Sequence, residues 1–317
     1  MRPALRLLAR RLPVSALLLL AVSLAVFGLL ALSPGSTERA LLGPRPATAE
    51  ALDAIRHRYH LDQPFLVQYG HWLGGVLRGD MGVSVQTGEP VAARIAERLS
   101  ITLELGLYAT LLIVLLGVPL GLLAAARRDG AADHAVSAGA VLAVSAPSFA
   151  VGVLLLYVFG VRLGWFPVFG AGEEGWDRVR HLTLPAVALA LSQIALVTRQ
   201  TRAAAIDVVS RDHLTFARAR GLPGRVIWRR YALRNTAVPV TTSVGLVLAY
   251  AMTGAVLVEV TFSLPGVGAL VMESVSNKDV PVVQGVALSA AAAVIAVNLL
   301  VDLAYLALDP RLRQAAS

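Results

Sequence analysis

Nine arginines gather in one stretch, Arg199, Arg202, Arg211, Arg218, Arg220, Arg225, Arg229, Arg230 and Arg234, against two acids, Asp207 and Asp212. About seven of the chain's net +8 therefore sit between flanking apolar runs, and loops with such an excess belong on the cytoplasmic side of a membrane. The local grammar is helix, break, helix. Asp212 is placed to cap a first helix with Phe216 and Ala219 on one face, Gly221 to follow its end, and Pro223 to open a second. In the second, Val226, Ile227 and Tyr231 supply apolar contacts, while Arg225/Arg229 and Arg230/Arg234 repeat at i, i+4 as charged stripes. The chemistry on offer is docking against another protein. Charge alone fits a plainer role equally well, with the arginines as topology determinants on a solvated face. A DNA-reading helix-turn-helix is disfavoured, because the adjoining spans hold the loop against the bilayer.

Other reactive groups are sparse. Asn298, Asp302 and Tyr305 share a helix face at i, i+4 and i+7, where they can line a path or bridge to a neighbouring helix, the second being the commoner use. Glu104 lies near one end of the second apolar run and Glu259 at the outer end of the fifth. An ion-coupled secondary transporter usually keeps ionisable groups near the membrane midplane, and this shortage argues against one. The histidines show no ligand spacing, His57 and His60 being the closest pair, so no metal site is expected, although nickel or zinc stays open as cargo. No G-x-S-x-G or paired-carboxylate arrangement supports a hydrolase. Cysteine is absent, which removes disulfides, thiolate ligands and a thiol nucleophile. Lys278, the only lysine, stands between Asn277 and Asp279, so the chain has no standard phosphate-binding loop, and any ATP must be bound by another subunit.

The elements that must position these residues are membrane spans. The 317 residues are 56% apolar and 15% charged, the composition of a polytopic membrane protein. Arg2, Arg6, Arg10 and Arg11 precede an apolar run from Leu12 to Leu32, read as an uncleaved first span with its amino end inside, a cleaved signal being the alternative. Between Ser33 and Ser100, seven arginines balance seven acids, so this segment belongs outside. In it Thr48 can cap one helix, Pro64 can open another, and Gly79, Asp80, Gly82 and Ser84 mark a break, after which Val91, Ile95 and Leu99 lead back to the membrane.

Further spans are expected at Ile101–Ala126, Ala135–Val161, Leu182–Val197, Val238–Val258 and Val282–Leu306. Trp165, Phe166, Phe169 and Trp176 fall in an outer loop, Pro265, Gly266 and Gly268 in the next. Pro119, Pro147, Pro185 and Pro239 sit within or at the ends of spans, as hinges or ordinary kinks. The expected fold is an all-α integral membrane protein of six transmembrane helices with both termini cytoplasmic. It divides into 1–32, an extracytoplasmic segment 33–100, a five-span core 101–306 holding the basic loop 199–237, and a tail 307–317.

Several stretches together carry a resemblance. LDQPFLVQYGHWLGGVLRGDMGVS, FARARGLPGRVIWRRYALRNTAVPV, VEVTFSLPGVGAL, KDVPVVQG and NLLVDLAYLALDPRLR are similar to segments of the permease subunits of ATP-binding-cassette importers for peptides and nickel. Within these the chain most resembles the dipeptide and oligopeptide permease B branch. The resemblance implies a type I permease fold in the bacterial inner membrane, moving peptides, with nickel chelates or another small solute as alternatives. It implies a homologous second permease, two ABC ATPase subunits that use ATP and Mg, an extracytoplasmic substrate-binding protein and surrounding lipid, with no nucleic acid, no cofactor and no catalytic residue on this chain.

The basic loop is then similar to the so-called EAA loop, whose short helix docks on the ATPase. Ala217 and Gly221 match its alanine and glycine, Thr215 stands in place of its glutamate, and Ala237-Val238-Pro239 is the nearest remnant of its later I-x-L-P element. The coupling residues implied are Arg211, Asp212, Phe216, Ala217, Arg218, Ala219, Gly221, Leu222 and Arg225.

Overall fold

The apolar runs form helices that outgrow the runs themselves. The computed structural model describes residues 2–31, 37–42, 46–58, 60–211, 216, 219–221, 223–226, 240, 247 and 255–308. The helices are α1 Arg2–Ala31, α2 Thr37–Leu42, α3 Ala49–Arg58, α4 Phe65–Val76, α5 Val91–Ala126, α6 Ala131–Ser145, α7 Ser148–Leu155 with a π-helical continuation Leu156–Arg162, α8 Trp176–Ser210, α9 Val267–Ser276 and α10 Val280–Leu308. Among the described residues there is no strand, only one bridge between Val83 and Pro90. Among the described residues four helices are long and apolar enough to cross a membrane, within α1, α5, α8 and α10, and α6 with α7 and its continuation forms a bent fifth. The expected span Val238–Val258 falls mostly outside the described residues.

Helix α5 begins at Val91, so the stretch through Val91, Ile95 and Leu99 is continuous with the expected span, nothing between them breaking the helix. Two outcomes differ from the expectation. Helix α8 runs through both ends of the expected span, so Trp176 opens it rather than lying in a loop, and Arg199 and Arg202 stand on it ahead of the basic loop. The run Ala135–Val161 is not one straight helix: it turns by 99° between α6 and α7. The cause is Pro147, which lacks an N–H and drives the residue before it out of helical space; Ala146 is extended at φ −93°, ψ 122°.

The chain sorts into two compact units, one of Met1–Leu8, Leu103–Leu264 and Ala296–Ser317, the other of Ala9–Thr102 and Pro265–Ile295. Inside the first, α8 packs against α6 and α7. Its contact with α5 uses small residues. A Cβ on Gly117 would lie 3.1 Å from the Val197 side chain, and one on Gly121 2.6 Å from both the Thr198 carbonyl oxygen and the Thr201 Cβ. The Thr198 hydroxyl donates to the Gly117 carbonyl at 3.2 Å. In lipid, where apolar surface gains little by leaving its surroundings, close backbone approach through glycine is how helices associate.

Inside the second unit, Val91, Ile95, Leu270, Val282 and Val286 form the core, with Met81, Val267 and Val271 packed on it. The local signals read in sequence hold here. The Thr48 Oγ1 accepts the Ala51 N–H at 3.2 Å and caps α3, and Pro64 immediately precedes α4. Helix α4 lies on α1: the Phe27 ring meets Phe65, Tyr69 and Trp72 at centroid distances of 5.4, 5.7 and 5.4 Å, and the Ser23 and Tyr69 hydroxyls are 2.7 Å apart. Each such aromatic pair contributes about 0.5–1.5 kcal/mol beyond area burial, which fixes α4 in place.

Candidate functional site

Helix α8 delivers the chain to the basic segment. Its buried stripe continues to Thr201, Ala205 and Val208, and it ends at Ser210 with Arg211 extended at φ −70°, ψ 144°. Arg211 donates from Nη2 to the Asp207 Oδ2 at 2.8 Å. Both partners are exposed, so this i, i+4 pair adds little to stability and leaves the segment solvated. Beyond it Phe216 is 71% exposed, an apolar ring offered to solvent or a partner. The Arg220 N–H reaches back to the Phe216 carbonyl at 3.0 Å, one helical turn, and Gly221 follows at φ +77°. A Cβ at Gly221 would meet no atom of the described residues within 4 Å, and the left-handed backbone is what calls for glycine there. Helical residues Gly224–Val226 come next and include Arg225. Ala219 is exposed beside Arg220, while Asp212, Ala217, Arg218 and Leu222 lie outside the described residues.

The second set read in sequence, Asn298, Asp302 and Tyr305, lies on α10 in one helical register. Asn298 is exposed and Asp302 half-buried. Glu104 accepts from the Arg178 Nη1 at 3.2 Å, joining α5 to α8 in the first unit, and Glu259 is fully buried. His60 stacks on His71 at 4.4 Å, His57 lies 3.7 Å from Asp53, and no cluster of three or more candidate metal ligands occurs among the described residues.

Two polar clusters were not singled out in sequence. In the first unit, the Arg202 guanidinium grips Asp133 through two parallel bonds, Nε to Oδ1 at 2.5 Å and Nη2 to Oδ2 at 2.6 Å. The Asp133 side chain is 4% exposed and also accepts the Asp129 N–H at 3.0 Å. In the second unit, Asp279 takes the Ser84 hydroxyl at 2.5 Å and the Val85 N–H at 3.1 Å, with the Arg94 Nη1 at 3.8 Å. Arg94 in turn lies 3.7 Å from Glu89 and from Glu273. A signal existed for each. Asp133 is an acid at the start of an apolar run, and Asp279 and Ser84 belong to two of the stretches that carried the resemblance.

Comparison with known proteins agrees with this architecture. The family described as binding-protein-dependent transport system inner membrane component matches residues 117–314, and its N-terminal companion matches residues 4–106. The chain is 37% identical over 309 residues to a probable peptide ABC transporter permease protein, y4tP, of Sinorhizobium fredii, covering 96% of this chain and 98% of that one. It is 37% identical over 316 residues to a putative peptide permease protein of Brucella ovis, covering 98% and 99%. It is 36% identical over 292 residues to the glutathione transport system permease protein GsiC of Escherichia coli K12, covering 92% and 94%. The chain belongs to the binding-protein-dependent transport system inner membrane component family and is a multi-pass permease subunit, a translocation component rather than an enzyme.

Proposed function

We propose that this permease subunit serves an ATP-driven importer that moves di- or oligopeptides across the bacterial cytoplasmic membrane. It pairs with a homologous permease and two ABC ATPase subunits, on which ATP and Mg are used, and receives cargo from an extracytoplasmic binding protein. Both termini and the basic segment face the cytoplasm. Peptide cargo is supported by the names of the relatives, and the orientation by the arginine excess of residues 199–234. The observation that carries the coupling role is the turn at Gly221, a left-handed helix end beside an exposed Phe216, in the arginine-rich segment directly after α8.

ATP closes the ATPase dimer, the segment from Asp212 to Arg225 transmits the motion, and the permease pair opens outward to take cargo. Hydrolysis resets it. A side chain at Gly221 costs about 1–2 kcal/mol in the left-handed region, more when β-branched, and meets no packing contact among the described residues. The test is to express the tagged chain with its neighbouring genes, purify it in mild detergent, identify what accompanies it, and assay ATP hydrolysis and peptide uptake. A second permease and ATPase subunits should co-purify, and Gly221→Val should insert normally yet lose uptake. A solitary chain showing gradient-driven flux, or normal uptake by Gly221→Val, refutes the reading.

A further inference from the structure

We infer that Asp133 and Arg202 form a positioning clamp that makes α6 and α8 move as one body, so that a displacement of the basic segment reaches both helices together. This rests on the reading of that segment as the ATPase contact. Arg202 stands eight residues before the end of α8 at Ser210, about 12 Å along the helix axis, and among the described residues its ion pair is the last between α8 and another helix before the segment begins. Its two bonds to Asp133 fix rotation as well as distance, which a single bond or an ammonium group does not.

Asp133 is more than a counter-ion. Its Oδ2 accepts the Asp129 N–H at 3.0 Å, and its Oδ1 accepts the Ser137 hydroxyl at 3.4 Å. Asp129 sits at φ +60° in the turn from α5 to α6, where the Gly130 N–H closes on the Arg127 carbonyl at 3.0 Å. The carboxylate therefore holds that turn, the first helical turn of α6 and α8 at one point. On α8, Thr198 and Thr201 sit against Gly121 of α5 within one turn of Arg202, so α5 is held at the same level. Arg211, by contrast, bonds Asp207 on its own helix, an arrangement that transmits nothing to a neighbour. An arginine serving topology alone would have no use for a buried carboxylate on another helix.

The test uses complete importer complexes reconstituted in proteoliposomes, with ATP hydrolysis measured with and without the cognate binding protein, purified with whatever ligand it carries. Arg202→Gln and Asp133→Asn should keep basal hydrolysis within about twofold but lose about fivefold or more of the stimulation by binding protein. A merely structural pin would lower the yield of complexes while leaving stimulation per complex unchanged, and that result overturns the inference. Gly221→Val is assayed beside them. If it loses stimulation while both clamp variants keep it, the clamp is wrong and the segment reading survives; if all three keep it, both fall. Loss in the clamp variants with Gly221→Val normal also overturns the inference, since the pair would then act by another route. Should the Gln and Asn variants fail to assemble, Arg202→Lys decides, because it keeps the charge without the fork. Intermediate stimulation supports the clamp, and wild-type stimulation overturns it.

Discussion

Replacing Gly121 by alanine adds one methyl group where α5 lies against α8. The new Cβ would sit 2.6 Å from the Thr198 carbonyl oxygen and 2.6 Å from the Thr201 Cβ, and neither can swing away as a long side chain does. Ordinary contact begins near 3.4 Å, so the two helices must part by about 0.8 Å. That displacement stretches the Thr198 to Gly117 bond from 3.2 Å to about 4 Å, past hydrogen-bond range. Overpacking of this kind costs about 1–3 kcal/mol, and the lost bond adds about 0.6 kcal/mol in a membrane setting. Alanine regains about 0.5–1 kcal/mol through its better helix propensity, leaving a net destabilisation of about 1–3 kcal/mol.

Gly106, on the same helix, supplies the control, because a Cβ there meets no atom of the described residues within 4 Å. The fluorescently tagged chain, expressed with its partners and solubilised in mild detergent, is heated in steps and the surviving fraction read by size-exclusion chromatography. Gly121→Ala should lower the apparent midpoint by roughly 3–8 °C, and Gly106→Ala should leave it unchanged or slightly raised. Equal behaviour of the two variants would refute the claim that close α5–α8 packing, rather than glycine as such, holds this unit together.

Two further outcomes follow from the geometry. Asp279→Ala leaves Arg94, 9% exposed, without its most buried partner. Because Arg94 keeps Glu89 and Glu273 at 3.7 Å, the loss should fall near the lower end of the range for breaking a buried pair, about 3 kcal/mol, and the loop at residues 79–90 should become sensitive to limited proteolysis. An unchanged cleavage pattern counts against Asp279 as its anchor. Pro147→Ala should open the bend between α6 and α7. With spin labels at Leu142→Cys and Val161→Cys, in a chain that has no cysteine of its own, the label distance should lengthen by up to about 7 Å. An unchanged distance would assign the bend to the packing of Gly152 against Phe262 and Ala188 instead of to the proline.

What could be read in the sequence was local. Thr48 as a cap, Pro64 as a helix start and Gly221 as a helix end each depend on the backbone within a few residues, and each stands where the residue type demanded. Pro147 was ambiguous for a physical reason: a proline in a span is a mild kink when neighbours re-satisfy the freed carbonyls and a sharp turn when they do not, and the neighbours are not in the local sequence. The stretch Val91, Ile95, Leu99 was legible as the approach to the span, although hydropathy marks where lipid begins and a helix ends only where its backbone is interrupted. Single members of the two ionic clusters carried a signal, but their pairing was beyond reach on similar grounds. Asp133 and Arg202 are 69 residues apart and Ser84 and Asp279 are 195, so nothing near either partner announces the other. Asp212, Ala217, Arg218 and Leu222, four of the nine coupling residues expected, lie outside the described structure.

The character of α8 ties packing to transmission. It is the least apolar of the four long spans and the most enclosed, with 56% of its most apolar stretch buried against 33% for α5 and 17% for α1 and α10. Its buried positions include Ala186, Ala188, Ala190, Ala195, Thr198, Thr201 and Ala205, small side chains that let neighbouring backbones approach. Such a surface resists rotation, because turning the helix would drive Val197 and Thr201 into the glycines of α5, but its smoothness does little to resist sliding along the axis. The Arg202 fork adds axial restraint to that of the Glu104–Arg178 pair and the Thr198–Gly117 bond, since two parallel bonds at 2.5 and 2.6 Å lose their geometry with a shift of an ångström. Small residues fix where α8 lies, and the Asp133–Arg202 pair is the inter-helix ion pair nearest Ser210 among the described residues, so a push at Ser210 has to move α6 or break that pair.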